Sequence, residues 1–176
     1  MYPYVRMVKE SLKYRNAPAL SLLGMHVSHH VCWPWDIDPW MELNNGRALT
    51  LYDLGRIPLA MRSGLVRATR AHGWGLTVAG NTVRYRRRVQ MFQRFEMRSR
   101  AIGWDARFLY IEQTMWRGGE CTNQMLLRMA VISKNGLVAP DLVAAELGHT
   151  GPSPALPEWV QAWIDADAKR PWPPAP

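Results

Sequence analysis

Cysteine is scarce in this sequence: Cys32 and Cys121 are the only two. That is too few for a disulfide framework, so two free thiols in a reducing compartment are expected. Long apolar runs are missing as well. No segment approaches the roughly 20 apolar residues that span a bilayer. The start, Met1-Tyr2-Pro3-Tyr4-Val5-Arg6, has no apolar core of the kind a secretory signal carries. A cytoplasmic location is therefore expected. Internal repeats are absent, and negative charge is in deficit: 14 acidic residues against 22 basic ones give +8 and a pI near 10. This balance suits an anionic partner, whether nucleic acid, anionic lipid, acidic carrier protein or phosphorylated cofactor. No nucleic-acid-binding motif accompanies the charge, so nucleic acid is set aside.

What is present is an ordinary globular composition, 48% apolar and 20% charged over 176 residues, enough to bury a core without cross-links. Residues 25–33 alternate, with Met25, Val27, His29, Val31 and Trp33 on one side and His26, Ser28, His30 and Cys32 on the other, which predicts a strand. Asn44 or Asn45 then caps a long helix from about Gly46 to about Met61. Gly55 and Pro58 predict a kink or early break in it. Helical structure should end before Gly73, and four strands should follow over 76–89, 95–104, 108–117 and 121–134, with hairpin-length connections. Apolar residues on both faces of the third of these make it central. A helix is expected at 158–168, docked by Trp159, Trp163 and Ile164, with 171–176 extended or frayed. The segment Val5 to Tyr14 reads as a short amphipathic helix, docked on the body or touching a membrane surface.

This order divides the chain into a helical extension (1–20), a main domain (21–148), and a proline-rich linker with a terminal helix (149–176). One helix wrapped by a single curved antiparallel sheet satisfies both periodicities, an α+β architecture whose basic outer face meets water. An exposed edge strand in such a sheet invites pairing across a dimer.

The chemistry concentrates in Asp36-Ile37-Asp38-Pro39-Trp40-Met41-Glu42-Leu43-Asn44-Asn45-Gly46-Arg47, at the junction of strand and helix. Asp38 reads as a general base or as a cap, and Asn44 and Asn45 as holders of water or carbonyl or as caps. Glu42 reads as a second acid or base, as a cap of the helix, or as the partner of Arg47 or Arg56. Asp36 reads as structural, and Arg56 as the group that neutralises a motif carboxylate. The Gly46 amide is a candidate oxyanion donor, since glycine lets a ligand approach the backbone. Arg84, Arg86, Arg87 and Arg88 form either a solvated face or an anion-binding one. His26, His29 and His30 lack the strand spacing and the added carboxylate or cysteine that a metal site requires, so no metal is expected. Trp33, Trp35, Trp40, Trp74 and Trp104 are expected in the core or a dimer interface, with one or two as candidates to line a tunnel.

These residues resemble the thioesterase-like hotdog superfamily, whose motif reads Asp-x-Asp, three residues, then His-x-Asn-Asn-x-x-Tyr. Asp36-Ile37-Asp38 and Glu42-Leu43-Asn44-Asn45-Gly46-Arg47-Ala48 stand at the same spacing, with Glu42 in place of histidine and Ala48 in place of tyrosine. Leu54-Gly55-Arg56, Val83-Arg84-Tyr85-Arg86-Arg87 and Ile102-Gly103-Trp104-Asp105 extend the similarity. The resemblance implies a hotdog fold and hydrolysis of a fatty or aromatic acyl-CoA or acyl-carrier-protein thioester. It implies Asp38 as base or nucleophile, the helix N-terminal amides as oxyanion hole, and the arginines on the phosphates of coenzyme A, which enters as part of the substrate rather than as a cofactor. It further implies a homodimer or homotetramer. A protein that binds the thioester without cleaving it is the alternative.

Overall fold

The computed structural model describes residues 2–174. Its elements run α1 (Tyr4–Tyr14), β1 (His26–Val31), a 3-10 turn (Pro34–Asp36), α2 (Asn45–Arg62), α3 (Leu65–His72), β2 (Gly75–Tyr85), β3 (Arg94–Trp104), β4 (Leu109–Arg117), β5 (Glu120–Ser133), β6 (Gly136–Val138), α4 (Pro140–Glu146) and α5 (Glu158–Ala168). The strands form one antiparallel sheet in the order β1-β3-β4-β5-β2, with β6 paired to β5, and the sheet curls around α2. β4 is central, as its two apolar faces require. α4 and β6 are additions to the predicted elements. The proline at the first position of α4 and Asp141 in its first turn are ordinary helix-start signals. The expected extended tail reaches Ala175 and Pro176, which lie outside the described residues.

The principal core joins Leu51, Leu54 and Leu59 of α2 to Met97, Leu109, Ile111, Met115, Met125 and Leu127 of the sheet. α2 is continuous through Gly55 and Pro58, so the expected break does not occur. Both residues are buried against the sheet. A Cβ on Gly55 would stand 2.5 Å from Ser99 Oγ and 2.7 Å from Met97 Sδ, so the glycine sets how closely helix and sheet approach. Packing gained at that separation outweighs the weak local propensity.

β1 places its polar side inward. His26, Ser28, His30 and Cys32 are buried while Met25 and Val27 face solvent. His30 Nε2 shares a 2.8 Å hydrogen bond with Ser28 Oγ, and Arg62 Nη1 donates to His26 Nδ1 at 3.0 Å. Burial, followed by the nearby positive charges of Arg62 and Arg6 respectively, pushes His26 down to about 4 and His30 down to about 3. Both thiols are unpaired, and burial pushes Cys32 up to about 11.

The outer face is not wholly in water, contrary to expectation. The segment after α4 crosses the sheet at Gly103, whose φ of 148° and missing Cβ admit Ser153, Pro154 and Leu156. α5 then covers Tyr110 and Leu126 with Val160, flanked by Phe108, Trp163 and Ile164. Arg128 stacks over Trp163 at 4.6 Å and pairs with Asp167. Of the tryptophans expected in the core or an interface, Trp104 is buried and Trp74 partly so, while Trp33, Trp35 and Trp40 face solvent.

Two expectations follow. Gly55→Ala should raise helix propensity yet destabilise the fold by about 1–3 kcal/mol through overpacking, read from the urea midpoint; a stabilised variant would contradict the close approach. The histidines bind a proton more weakly folded than unfolded, where the ordinary value is 6.5. Their contribution is therefore complete above that value and is lost as pH falls from about 6.5 towards 4, by up to about 1.4 kcal/mol per pH unit for each. Denaturant midpoints across that range should fall steeply for the native chain and less steeply for His30→Gln.

Candidate active site

The segment joining β1 to α2 is a closed loop built by its own backbone. Asn44 N donates to Asp36 O at 2.9 Å, Asp38 N to Glu42 O at 2.9 Å and Met41 N to Asp38 O at 3.0 Å. Met41 adopts a φ of 61° to close the turn. Asp38 Oδ1 accepts the Trp40 N–H at 2.9 Å, which orients the carboxylate; Oδ2 has no partner among the described residues. Leu43 N donates to Val89 O at 2.7 Å, fastening the loop to the chain that leaves β2. Asn44 caps α2, its Oδ1 accepting Arg47 N at 2.9 Å.

Asp36 holds this arrangement from below. It is fully buried, with Arg47 Nε 2.7 Å from one oxygen and Arg6 Nη1 2.6 Å from the other, which also accepts Trp33 N at 3.0 Å. Its structural reading stands.

An open cavity of about 460 Å3 lies above. Asp38, Glu42, Asn44 and Asn45 line one side, and Tyr85, Arg86, Arg87 and Arg88 the other. Two groups chosen for different reasons, the polar loop and the arginine run, thus share one hollow. Arg88 Nε lies 2.8 Å from Glu42 Oε2, a charge contact whose N–H is not aimed at the oxygen, and Arg87 pairs with Glu120 at 2.6 Å. Arg86 makes no ion pair among the described residues.

Several residues sit differently from expectation. Glu42 pairs with Arg88 instead of Arg47 or Arg56, because Asp36 occupies Arg47. Arg56 does not reach a motif carboxylate; it pairs with Asp53 one turn away on α2 and donates to Gln113 at 3.4 Å. Arg84, exposed on β2, lies outside the cavity lining. Gly46 is also outside it, and its N–H donates to Asn45 Oδ1 at 2.7 Å.

Sequence reasoning missed three participants. Tyr85 lines the cavity and its hydroxyl donates to Asn45 O at 3.1 Å, joining β2 to the start of α2. Asn123, its register partner on β5, is buried at the cavity floor near the Tyr52 hydroxyl, 3.4 Å away. Trp40 forms part of the rim. Tyr85 was visible only as an aromatic among arginines, and Asn123 carries no local signal, since only strand pairing brings it there.

A larger hollow of about 570 Å3 lies elsewhere, over His29, Arg94, Arg98 and Trp116, but its one carboxylate, Glu96, faces Arg98 at 2.6 Å and His29 at 3.5 Å. His26 and His30 point inward and His29 outward. Among the described residues, no group of three or more His, Cys, Asp or Glu is arranged to hold a metal ion.

Known proteins share this architecture. Protein THEM6 of Xenopus laevis is 32% identical over 165 residues, which cover 92% of this chain and 78% of that one. THEM6 of Drosophila melanogaster is 26% identical over 139 residues, 77% and 70% of the two chains. Among solved structures, the probable thioesterase YbaW of Escherichia coli superposes with a TM-score of 0.66 at 16% identity, covering 70% of this chain and 96% of that one. A DHNA-CoA thioesterase from Staphylococcus aureus gives 0.60 at 11% identity, covering 82% and 91%. The family model of the thioesterase-like superfamily matches residues 32–164, the stretch that holds α2, strands β2 to β6 and every residue of the cavity. The chain belongs to the thioesterase-like superfamily.

Proposed function

We propose that the cavity at the start of α2 hydrolyses acyl-CoA thioesters, fatty or aromatic, to free acid and thiol. The observation that supports this most is the meeting of Asp38, Glu42, Asn44 and Asn45 with Arg86, Arg87 and Arg88 in one hollow. A thioester of coenzyme A needs both halves: a base beside a helix start for the carbonyl, and fixed cations for the phosphates. An S. aureus protein of the same fold, with a TM-score of 0.59 at 11% identity, was solved in complex with CoA.

In this reading the Trp40 N–H holds one oxygen of Asp38 while the other takes a proton from water. The water oxygen bonds to the acyl carbon, and the carbonyl electrons move to oxygen. The positive end of α2 stabilises that oxyanion, and one helix-start N–H released from its asparagine side chain adds about 3 kcal/mol as a well-placed donor. Collapse breaks the carbon to sulfur bond and expels the thiolate, an easy leaving group, which takes the proton held by Asp38 to leave as thiol and restores the carboxylate. Asp38 as direct nucleophile, through an anhydride that water then cleaves, uses the same geometry. Asn44 and Asn45 position water or carbonyl, and Glu42, its charge offset by Arg88, is the second carboxylate where relatives of the motif carry histidine. A carrier-protein thioester would use the same arginines against acidic side chains.

One observation favours the second reading, a protein that binds the thioester without cleaving it. The Gly46 N–H proposed as oxyanion donor is engaged by Asn45 Oδ1. Catalysis requires that amide side chain to turn away when substrate enters.

The reading includes a homodimer formed through β2 and a cytoplasmic location, which the two unpaired thiols fit. The two edges of the sheet differ. Along β1, the carbonyls of Val27 and Val31 are taken by Tyr14 Oη at 3.3 Å and Arg6 Nη2 at 3.0 Å. β2 pairs only with β5, and Leu76 and Val78 on it are exposed. Pairing of β2 with β2 places the two cavities near one junction, and a dimer of such dimers gives a tetramer. Among the described residues no helix is long and apolar enough to cross a membrane.

Thiol release from a panel of acyl-CoAs tests the chemistry. Asp38→Asn should lower kcat by about 10²–10⁴-fold with an unchanged melting temperature; full turnover by that variant removes Asp38 from the mechanism. Binding of acyl-CoA by the native chain with no thiol released would establish the second reading. Arg86→Ala should raise KM for acyl-CoA by about tenfold while leaving the same acyl group on N-acetylcysteamine unaffected, since that thiol carries no phosphate. Sedimentation equilibrium should give a mass of at least two chains, reduced to one by Leu76→Lys with Val78→Lys.

A further inference from the structure

α1 is mounted with its polar side inward. Arg6 is tied to Asp36 and to Val31 O, and Glu10 is 5% exposed against the body, one of its oxygens unpartnered among the described residues. The opposite side carries Tyr4, Val8, Leu12 and Val5 within about 100° of arc at 3.6 residues per turn, all exposed, Val5 at 85%. Lys9 and Lys13 border this stripe and are exposed too. A helix that turns a carboxylate towards the protein and valines and leucine towards solvent has its favourable burial still to make.

A second apolar surface adjoins it. Trp33 and Trp35 stack at 5.5 Å and 12°, and Phe92 meets Trp33 edge-on at 6.2 Å; Trp35 is 65% exposed. Phe92 holds a left-handed φ of 62° in presenting its ring to solvent, a conformation that bulky residues seldom adopt. The two surfaces are joined by one carboxylate, because Asp36 Oδ2 receives both Arg6 of α1 and the backbone N–H of Trp33.

From this we infer that α1 and the Trp33, Trp35 and Phe92 cluster form a docking surface for an anionic phospholipid bilayer. The occupant follows from the chemistry present. Aliphatic residues in an arc bordered by lysines are what a helix lying in a headgroup layer presents. Tryptophan and tyrosine, apolar with one polar atom, favour the same depth. The charge of +8 is the complement of an anionic leaflet, and a second copy seated on this stripe would set Lys9 and Lys13 against their own counterparts. The inference stands apart from the proposed hydrolysis. Where both hold, Trp40 at the cavity rim, in the same loop as Trp33 and Trp35, places the cavity on the side from which an acyl chain leaves the lipid.

The test is flotation of the purified full chain with vesicles of phosphatidylcholine alone and of phosphatidylcholine mixed with phosphatidylserine, at low and high salt. The chain should float with the anionic vesicles and be released by salt. Val8→Glu with Leu12→Glu, both at exposed positions, should weaken partitioning by at least about tenfold at an unchanged melting temperature. Lys9→Gln and Lys13→Gln should each weaken it by about fivefold, and Trp35→Ala gives a third route if the paired glutamates disturb folding. A chain that floats with neither vesicle, or variants that float as well as the native chain, would overturn the inference. So would loss of oligomer mass in the Val8→Glu and Leu12→Glu variant without vesicle binding by the native chain, which would assign the surface to a second copy.

Discussion

The carboxylate of Asp36 is the contact on which the architecture around the cavity depends. It is a buried charge with two arginine partners and a backbone donor, drawn from three different elements. Arg6 brings α1, Arg47 brings the first turn of α2, and Trp33 N brings the turn that ends β1. A buried ion group of this kind contributes little net stability compared with an apolar replacement, but loss of one partner strands the others at a cost of about 3–5 kcal/mol. Its function is placement. The chain two residues later carries Asp38, and eight residues later the cap of α2, so the position of each is set by a group that neither touches substrate nor faces the cavity.

A second constraint is the approach of α2 to the sheet at Gly55. The close contact seats Tyr52 one turn earlier, under the cavity, where its hydroxyl meets Asn123 on β5. The cavity floor is therefore defined by packing in the core, while its walls are defined by loop hydrogen bonds and charge. Buried groups below and exposed arginines above give the hollow an apolar-backed floor and a charged, solvent-facing wall.

Much of this was readable in the residues. α5 was placed residue for residue, and β3, β4 and β5 within a few positions, because alternation and turn residues act locally. The spacing of Asp36, Asp38, Asn44 and Asn45 identified the fold, and the last three of these residues line the cavity. What escaped is long-range. Nothing beside Arg56 says that Asp53 will claim it, and nothing beside Glu42 names Arg88, forty-six positions on, as its partner. The inward side of β1 was undecidable from pattern, since burying His26, Ser28 and His30 becomes tolerable only when Arg62 of another element and a neighbouring serine satisfy them. For the tryptophans the pattern left core and interface both open, and only the finished loop shows that Trp33, Trp35 and Trp40 lie on the outside.

The two edges of the sheet carry a further consequence. α1 blocks β1 by occupying its outward carbonyls with Tyr14 and Arg6, while β2 keeps its own backbone groups along a full eleven-residue strand. A sheet open at both ends can add copies without limit and grow into a fibre. With one end closed, strand addition through β2 is isologous and stops at two chains, leaving no free edge on the product. The N-terminal helix thus shields one edge of the sheet from strand addition, and its loss would return the carbonyls of Val27 and Val31 to a second open edge.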